Sequence, residues 1–451
     1  MASPLSSTHS GPFGGSVVRR YPGPVSPRGE SSAIVALRHR DYRLFWIAAL
    51  ISNTGSWMQS AAIPYAVYRL SGRSTDVGTT GFWLYVPMVL MGGVGGSLAD
   101  RFDRRSLLML TQVGQALLAA ALWLLVVSGD ASVGSISALS FASGLAAGLN
   151  IPVWQSFVSQ LVPREILPNA VMLNSTQFNA ARALGPLLFG GVIAIFDVGI
   201  AFLLNAVSFV AVLVVLPFIR AEQPPRPDGP RRGAFADVVA GARYVAETPG
   251  ILACCLGIVA VAGLGSPLFS FLPATYGQGI FGAHGWLIGI LSGAAGIGAV
   301  LVAPLLLTRG ARMSRSRLLI VAMLAYGASI VLVGLAPVFG VALAGALLFG
   351  GSYLAIASAN NTTLQLLARE EMRGRALAVF IMCLTAALPV GLFGWGVAAD
   401  AIGIRPTTVI AGLALIGVTG VFAVTGRFDA MSDPEPPNET VASDGLPVVP
   451  G

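Results

Sequence analysis

The sequence predicts an all-α membrane protein with twelve transmembrane helices in two six-helix bundles and with both termini in the cytoplasm. Composition, the length of the apolar segments and the distribution of arginine lead to this prediction. Of the 451 residues, 55% are hydrophobic and 10% are charged, whereas an ordinary soluble domain has roughly 25% charged residues. A soluble protein of this length would need far more polar surface, so we expect the chain to lie in a bilayer.

Apolar stretches of about 20 residues are long enough to cross a bilayer as helices. Twelve such segments lie between Arg43 and Val424, at approximately 43–70, 77–99, 106–128, 133–157, 169–196, 199–219, 250–275, 285–308, 317–336, 339–366, 374–399 and 405–425. The long break at 220–249 is rich in Pro and Arg and separates the first six segments from the last six. It has room for a short surface helix.

These boundaries divide the chain into five parts. We expect a disordered cytoplasmic tail at 1–40, an N-terminal six-helix bundle at 41–219, a cytoplasmic central loop at 220–249, a C-terminal six-helix bundle at 250–426 and a second disordered cytoplasmic tail at 427–451. The first tail is rich in Ser, Pro and Gly, as disordered segments often are. It lacks the continuous apolar core of a secretory signal peptide.

Arginine predicts the orientation of the chain. All 27 basic residues are arginines, and only Arg69, Arg73 and Arg405 fall in outer loops when the N-terminus is placed inside. Cytoplasmic loops of membrane proteins carry an excess of basic residues, so this bias favours two cytoplasmic termini and an even number of spans. The basic balance thus reports topology, and no nucleic-acid partner is expected.

Several classes of function are excluded by the absence of their motifs. The three cysteines, Cys254, Cys255 and Cys383, lie in apolar segments and have neither a disulfide framework nor metal-ligand spacing. The chain has three His and no His-Glu-x-x-His, Walker sequence or glycine-rich phosphate loop. We therefore expect no enzymatic activity, no metal, no cofactor and no direct use of ATP.

The two halves of the chain resemble each other weakly. "QLVPREILPNAVML" (160–173) has a counterpart in "QLLAREEMRGRALA" (365–378), and "ALGPLLFGG" (183–191) matches "ALPVGLFGW" (387–395). A repeat of six helices is typical of transporters whose halves rock about a site at the midplane.

The segment "GGSLADRFDRR" (95–105) resembles the loop signature between the second and third spans of the major facilitator superfamily. The matching residues are Gly96, Leu98, Asp100, Arg101, Arg104 and Arg105, and Asp103 stands where the pattern usually has Gly. Residues 51–72, 151–186 and 372–380 resemble the secretion-effector branch, which contains siderophore, macrolide and drug exporters. The resemblance runs from about Arg38 to Gly426 and implies the major facilitator fold.

The resemblance also implies a gate. In this family the aspartate that matches Asp100 contacts the positive end of the eleventh helix, here near Arg373, Gly374 and Arg375. That latch holds the outward-open state and breaks when the inside opens. An acid at a helix N-terminus contributes about 0.3–1 kcal/mol when exposed, enough to bias two states. In the alternative interpretation the arginines serve only orientation. From the residues themselves, we expect Gly95 and Gly96 to form a tight turn at the end of the second span.

Arg182 lies in the middle of the fifth segment, whereas no acid lies deep in any segment. A charge at the bilayer centre costs roughly 2.5–3.5 kcal/mol on insertion scales, so Arg182 should face protein or water. Two interpretations remain open. Either Arg182 bonds to carbonyls and amides of neighbouring spans and pins the bundle, or it lines the central cavity and meets an anionic group of the cargo or takes part in ion coupling.

Other polar side chains cluster in spans that surround the cavity in this fold. The candidate cavity residues are Asn53 and Gln59 in the first span, Asn150 and Trp154 in the fourth, and Asn360 and Asn361 in the tenth. Hydrogen bonds between helices, worth about 0.6 kcal/mol each, are the alternative role. Gly185, Pro186 and Gly190 resemble the fifth-span motif of exporters, although Phe189 stands at the first glycine position of that motif.

The leading hypothesis is a secondary active exporter of small amphipathic molecules, such as a drug, siderophore or secondary metabolite, that works by alternating access. The resemblance implies proton antiport, with the proton site unidentified. The expected partners are a small-molecule substrate, membrane lipid and protons, and the expected assembly is a monomer in the cytoplasmic membrane of a bacterium. An uptake permease on the same fold, and a non-transporting membrane receptor, are the alternatives.

Overall fold

A computed structural model describes residues 34–219 and 234–431, and these residues form helices and connections without a β-strand. Six long helices make up the first half: α1 (Arg40–Ser71), α2 (Ser74–Arg101), α3 (Arg104–Ser128), α4 (Val133–Val158), α5 (Leu167–Ile195) and α6 (Val198–Val215). Most of the first predicted tail, most of the last one and the first part of the central loop lie outside the described residues.

The second half begins with the short helix α7 (Ala234–Glu247), which lies in the predicted central loop. It continues with α8 (Pro249–Ala260), α9 (Leu268–Phe271), α10 (Trp286–Thr308), α11 (Arg315–Leu335), α12 (Phe339–Leu367), α13 (Arg373–Ile402) and α14 (Ile404–Val424). Two π-helical segments, Val261–Gly265 and Leu272–Ile280, flank α9. Residues Pro249–Ile280 therefore form one helical span, which is longer than the predicted 250–275.

Ten helical segments of the described residues are long and apolar enough to cross a membrane: α3 to α6, Pro249–Ile280 and α10 to α14. Helices α1 and α2 have 32 and 28 residues but fall outside this group. Polar side chains interrupt α1 in its middle, around Asn53 and Gln59. The side chains of several residues near the end of α2 lie outside the described residues, so its absence from this group does not mark it as polar. The prediction of twelve spans requires α1 and α2 in addition to the ten.

Capping residues set several helix ends. The side chains of Asp103, Ser132, Asp197 and Ser314 accept backbone N–H bonds at the starts of α3, α4, α6 and α11, as N-cap residues do. Asp103, which departs from the family pattern, thus begins α3. Gly72 and Gly129 follow α1 and α3 with φ of 66° and 80°, a left-handed conformation in which glycine avoids a steric penalty.

The predicted turn at Gly95 and Gly96 is wrong, because α2 continues through both residues to Arg101. Gly95 instead allows α2 to lie close to α4. A Cβ atom there would lie 2.9 Å from Leu149 Cα and 2.8 Å from Pro152 Cγ. Small residues commonly permit such close helix contacts in membrane proteins.

The helices pack into two halves. In the first, α1 packs on α5 and α6, α2 on α4, and α3 on α4 and α6. In the second, α12 packs on α10 and α11, α14 on α11, and α13 on α7 and α8. The halves meet mainly through two antiparallel pairs, α2 with α13 and α5 with α10. The site described below lies between the halves.

The two ends of the helices differ in charge. We call the end with the α2–α3, α4–α5, α10–α11 and α12–α13 connections the arginine-rich face, since Arg104, Arg164, Arg312 and Arg369 lie there. The opposite end, with the α1–α2, α3–α4, α5–α6, α11–α12 and α13–α14 connections, is the arginine-poor face. Arg69 and Asp197 form an ion pair of 2.9 Å on it, within the first half.

We expect Gly350→Val to destabilise the second half. A Cβ atom at Gly350 in α12 would contact Ala295 O and lie 2.5 Å from Ala295 Cα in α10. Backbone atoms cannot move aside as a side-chain end can, and overpacking typically costs about 1–3 kcal/mol. The melting temperature of the purified variant in one fixed detergent should fall. Gly417→Val on α14 is the control, because no atom lies within 4 Å of its added Cβ. Equal melting temperatures for the two variants would contradict this packing.

Candidate functional site

Arg182 lies near the middle of α5, where the two halves meet. Its guanidinium carbon lies 5.5 Å from the ring centroid of Trp57 in α1 and 5.5 Å from that of Phe269 in α9. The Tyr353 ring in α12 is closer, at 4.9 Å. Such cation–π contacts contribute about 0.5–1 kcal/mol at exposed sites and about 2 or more when desolvated. Aromatic rings from both halves therefore surround this cation.

No hydrogen bond or ion pair of the Arg182 side chain is found within residues 34–219 and 234–431. Its Nε atom is fully buried and lacks a partner there. The interpretation in which Arg182 pins the bundle through carbonyls and amides therefore finds no support among these residues. A buried N–H without an acceptor is unfavourable by roughly 1–3 kcal/mol, so the cost of burying this guanidinium is not offset by a hydrogen bond within the described residues.

A cavity of about 430 Å³ lies beside Arg182, between α5 of the first half and α10 and α12 of the second. Its volume is within the range of small-molecule sites, about 300–1,000 Å³. The lining is mostly apolar and small, and Thr176, Asn179, Arg182 and Tyr353 provide its polar groups. Because both halves contribute walls, a relative movement of the halves would change the shape of this cavity.

A second cavity of about 290 Å³ lies within the first half. Trp57 lines it, and the Trp57 ring lies 5.5 Å from the guanidinium carbon of Arg182. Asn53 and Gln59 also line this cavity, as the sequence predicts for cavity residues. The Asn53 amide also donates to Gln177 Oε1 at 3.3 Å, and Asn205 donates to Gln59 Oε1 at 2.7 Å. These two residues thus have both expected roles, facing a cavity and bonding between helices.

Phe269 lies between the two π-helical segments. In the first segment Ser266 N–H donates to Val261 O at 2.9 Å, and after the second Phe281 N–H donates to Tyr276 O at 3.0 Å, both with i→i+5 spacing. Single π-turns rotate the following residues relative to a regular α-helix and are frequent at functional sites. Sequence analysis missed Phe269 and Tyr353, because apolar periodicity does not reveal where a helix widens.

The candidate residues Asn150 and Trp154 have packing roles. Thr111 donates to Asn150 Oδ1 at 2.8 Å across the α3–α4 contact. The Trp154 ring is buried in the core of the first half, 4.6 Å from the ring of Phe45. Neither side chain lines the two cavities. The interhelical hydrogen bond therefore applies to Asn150, and Trp154 has a packing role in the core.

Asn360 and Asn361 also lie away from the two cavities. Asn360 is buried, and its Oδ1 has no hydrogen-bond partner among the residues that the structure describes. Asn361 is exposed and accepts from Gln365 Nε2 at 3.1 Å. The α12 residues that line the cavity beside Arg182 are Gly350, Tyr353, Leu354 and Ala357. The predicted helix is therefore at the cavity, and Asn360 and Asn361 lie one turn beyond its lining residues, towards the arginine-rich face.

The fifth-span motif brings α5 close to two other helices. A Cβ atom at Gly185 would lie 2.7 Å from Met58 N in α1. One at Gly190 would lie 2.6 Å from Gly289 N in α10. Pro186 is buried within α5. The two glycines thus allow contact within the first half and between the halves, respectively.

The tight contacts between the halves lie towards the arginine-poor face. Gly190 meets Gly289 there, and Gly285 at the start of α10 lies against Ala194 near the end of α5. At the other contact between the halves, Phe82 of α2 lies 6.0 Å from the Phe393 ring of α13. Both antiparallel pairs are therefore closed at this face.

Asp400 joins the halves at the same face. It lies in the last turn of α13, and its carboxylate accepts from the Ser74 and Thr75 backbone N–H groups at 2.8 and 2.9 Å. These groups begin α2, so the carboxylate also lies at the positive end of a helix dipole. Arg73 Nε lies 3.8 Å from Asp400 Oδ2. No motif in the sequence singled out Asp400.

The predicted gate at the arginine-rich face is described in part. The side chains of Asp100 and Arg101, and the surroundings of Gly96, lie outside the described residues. The Asp100 contact therefore stays a prediction. Arg104 donates to Ser156 O at 3.3 Å and Arg105 to Ile219 O at 3.4 Å. These two arginines therefore hold the start of α3 to the ends of α4 and α6.

The helix that the Asp100 prediction concerns begins at this face too. Arg373 is the first residue of α13, and both Arg373 and Gly374 are exposed. The first turn of α13 thus leaves backbone N–H groups without helical partners. In residues 34–219 and 234–431, no group of three His, Cys, Asp or Glu side chains could hold a metal ion.

Comparison with known proteins gives matches over most of the chain. The family model described as transmembrane secretion effector matches residues 31–439. The multidrug efflux pump Tap of Mycolicibacterium fortuitum is 25% identical over 391 residues, which are 84% of this chain and 94% of Tap. The enterobactin exporter EntS of Salmonella typhimurium (strain LT2) is 24% identical over 346 residues, 75% of this chain and 80% of EntS.

Solved structures match the fold. A bacterial homologue of the human lysosomal transporter Spinster, in an inward-facing and unoccupied conformation, has a TM-score of 0.67 at 15% identity. The match covers 89% of this chain and 98% of that one. The nucleoside transporter NupG has a TM-score of 0.64 at 12% identity, and the match covers 87% of this chain and 99% of NupG. At these identities the likeness concerns the fold.

Proposed function

Since the chain belongs to the transmembrane secretion effector family of major facilitator superfamily transporters, we propose that it exports small amphipathic molecules by alternating access. The cargo would be a drug, siderophore or secondary metabolite. The observation that carries this proposal is the cavity around Arg182, whose walls come from both halves. A cavity at the interface of two rocking halves is the usual location of a transporter's substrate site.

The arrangement of contacts between the halves supports a state that is closed at the arginine-poor face. If the arginine-rich face is cytoplasmic, as basic loops generally are, the contacts of Asp400, Gly190 and Gly289 close the outer side. The cargo would then enter from the cytoplasm, and the outer contacts would separate to release it. This orientation requires α1 and α2 to cross the membrane along with the ten segments named above. We propose twelve spans, two cytoplasmic termini, a monomeric assembly and the cytoplasmic membrane of a bacterium.

The relatives support export as the direction of transport. Tap is named for multidrug efflux and EntS for enterobactin export. Radiolabelled cargo in whole cells measures the direction, because a strain that lacks an exporter accumulates more cargo. Lower accumulation in the deletion strain would identify an uptake permease instead.

Proton antiport is the coupling we propose. The linings of both cavities contain no Asp or Glu, so a titrating carboxyl group would have to lie nearer the ends of the helices. Asp100 is the candidate, because it lies near the end of a helix at the expected contact between the halves, whereas the Ser74 and Thr75 backbone N–H groups stabilise Asp400 in its charged form. In inverted vesicles, adding a cargo should collapse an imposed pH gradient. A broad cargo panel that leaves the gradient unchanged would contradict antiport through this chain.

We expect Asp100→Asn to favour the state that is open at the arginine-rich face. In the opposite state, Asp100 would lie at the N-terminus of α13, where a carboxylate contributes about 0.3–1 kcal/mol when exposed. The variant should therefore slow cargo-dependent collapse of the pH gradient by roughly two- to fivefold. Asp103→Asn is the matched control, because Asn caps a helix as well as Asp does. Equal rates for wild type and Asp100→Asn would refute the latch.

A further inference from the structure

We propose that the Arg182 site selects cargo that carries a negative charge next to an aromatic ring. This inference rests on the proposed function and names the chemical class of its substrate. It starts from a guanidinium that three rings surround at 4.9–5.5 Å, with no acidic partner among the described residues. The buried Nε atom lacks an acceptor.

The charge of the site is unbalanced. Arg182 lines the cavity of about 430 Å³ beside it. The linings of this cavity and of the second cavity contain no Asp or Glu. Arginine stays protonated in proteins, so the cavity keeps a positive charge in every state of the cycle. Charges inside a membrane protein usually pair with one another or with backbone carbonyls. A cargo anion would complete the pair that the chain itself leaves open.

The geometry of arginine favours oxyanions. A guanidinium presents several N–H donors in a planar fork, which matches carboxylate, sulfonate and phosphate groups. Arg182 lines the cavity, and its side chain has no hydrogen-bond acceptor among the residues that the structure describes. In a cavity with mostly apolar walls, a charge-assisted hydrogen bond is stronger than in water. The site should therefore discriminate by charge as well as by shape.

The surrounding rings favour an aromatic body for the same cargo. Trp57 packs edge-on against Phe178 and Phe269, with ring centroids 5.6 and 5.8 Å apart. These ring contacts hold Trp57 and Phe269 in place beside Arg182. Tyr353 of the second half lines the cavity beside Arg182, and Trp57 of the first half lines the second cavity. Offset or edge-to-face contact between aromatic groups is favourable beyond the burial of area. The cavity beside Arg182, at about 430 Å³, has room for a bicyclic ring and its acid group.

Three probes of one shape test this inference by equilibrium binding to the full chain in nanodiscs of zwitterionic lipid. 1-Naphthoate carries a carboxylate, 1-naphthamide is neutral, and 1-naphthylmethylammonium is a cation. Isothermal titration should show at least about tenfold tighter binding of the anion than of the amide, with the cation weakest. Each bicyclic probe leaves the aromatic contacts similar, so the differences report the charge.

Arg182→Gln should remove the difference in affinity between the anion and the amide. Arg182→Lys keeps the positive charge and should retain part of the preference for the anion. Arg405→Gln is the control, because Arg405 lies at the start of α14, at the arginine-poor face. Size-exclusion chromatography shows whether each variant is folded, and the wild-type comparison of probes remains decisive if Arg182→Gln is not.

The inference is overturned if the wild-type protein binds the anion no more tightly than the amide, or binds neither saturably. It is also overturned if a folded Arg182→Gln variant keeps the preference. Because the measurement is binding alone, it can succeed when vesicles show no transport. Failure of the exporter proposal and failure of this selectivity are thus distinguishable.

Discussion

Gly289→Leu is expected to reduce transport at least about tenfold in a protein that still folds. Gly289 lies where α10 meets α5, and a Cβ atom there would lie 2.8 Å from Gly190 N and 3.0 Å from Leu187 O. These are backbone atoms of the opposite half, so a leucine can be accommodated only if the two helices separate. Because the contact joins the halves at the arginine-poor face, the substitution should hold that face open. A transporter held in one state cannot complete its cycle.

A labelling rate and a control variant test this effect. Ser74 is buried at the closed face, so a cysteine at this position should react with a membrane-impermeant maleimide at least about tenfold faster when Gly289 is Leu. The native cysteines are first replaced by serine. Gly420→Leu is the control, because Gly420 is exposed on α14 and no atom lies within 4 Å of an added Cβ. Normal transport by Gly289→Leu would show that this contact does not have to remain closed.

The second large effect is expected for Asp400→Asn. The carboxylate accepts from two backbone N–H groups at the start of α2, and an amide in its place carries no charge and presents a donor where an acceptor is needed. A carboxylate at a helix N-terminus contributes up to about 2 kcal/mol in partly buried geometries. Loss of about 1–2 kcal/mol shifts a two-state equilibrium by roughly 5- to 30-fold. The state open at the arginine-poor face should gain population by this factor.

Asp197→Asn is a matched control for Asp400→Asn. Both acids lie at the arginine-poor face, but Asp197 pairs with Arg69 inside the first half at 2.9 Å. Its loss should therefore leave the equilibrium between the two states unchanged. Arg73→Gln should also have little effect, because exposed ion pairs typically contribute about 0–1 kcal/mol. The role of Asp400 is contradicted if all three variants shift the Ser74→Cys labelling rate equally, or if none of them does.

The α2–α13 pair suggests how the two faces could alternate. At the arginine-poor face, Asp400 from the end of α13 meets the start of α2. The two helices are antiparallel, so Asp100 near the end of α2 and Arg373 at the start of α13 both belong to the arginine-rich face. In our proposal the Asp100 contact closes that face when the Asp400 contact opens. The same physical device, a carboxylate at a helix N-terminus, would then serve both gates.

Much of the fold follows from the sequence, because apolar length and arginine bias are properties of the chain alone. The predicted break at 220–249 separates α6 from α8, and α7 is the short helix expected there. Helix ends were less predictable. Gly95 continues α2 because its contact with Leu149 of α4 favours a straight helix, and that neighbour is not visible in the local sequence.

The site was predictable in its charge and less so in its shape. Arg182 stood out because a cation in the middle of an apolar segment needs an explanation. Trp154 was placed at the cavity because it lies on a cavity helix, yet its ring packs on Phe45 in the core. A highly apolar helix such as α4 carries little periodicity that distinguishes its faces. Phe269 lies between two π-helical segments, and no residue pattern in the sequence predicts these segments.

The most direct test of alternating access measures one distance at each face in lipid nanodiscs. Spin labels at the exposed residues Asp130 and Val338 report the arginine-poor face, and labels at Glu165 and Glu370 report the arginine-rich face. The native cysteines are replaced by serine in both pairs. Our account predicts that conditions which lengthen the first distance, such as Asp400→Asn, shorten the second. Two distances that lengthen together, or that stay fixed under every condition, would contradict it.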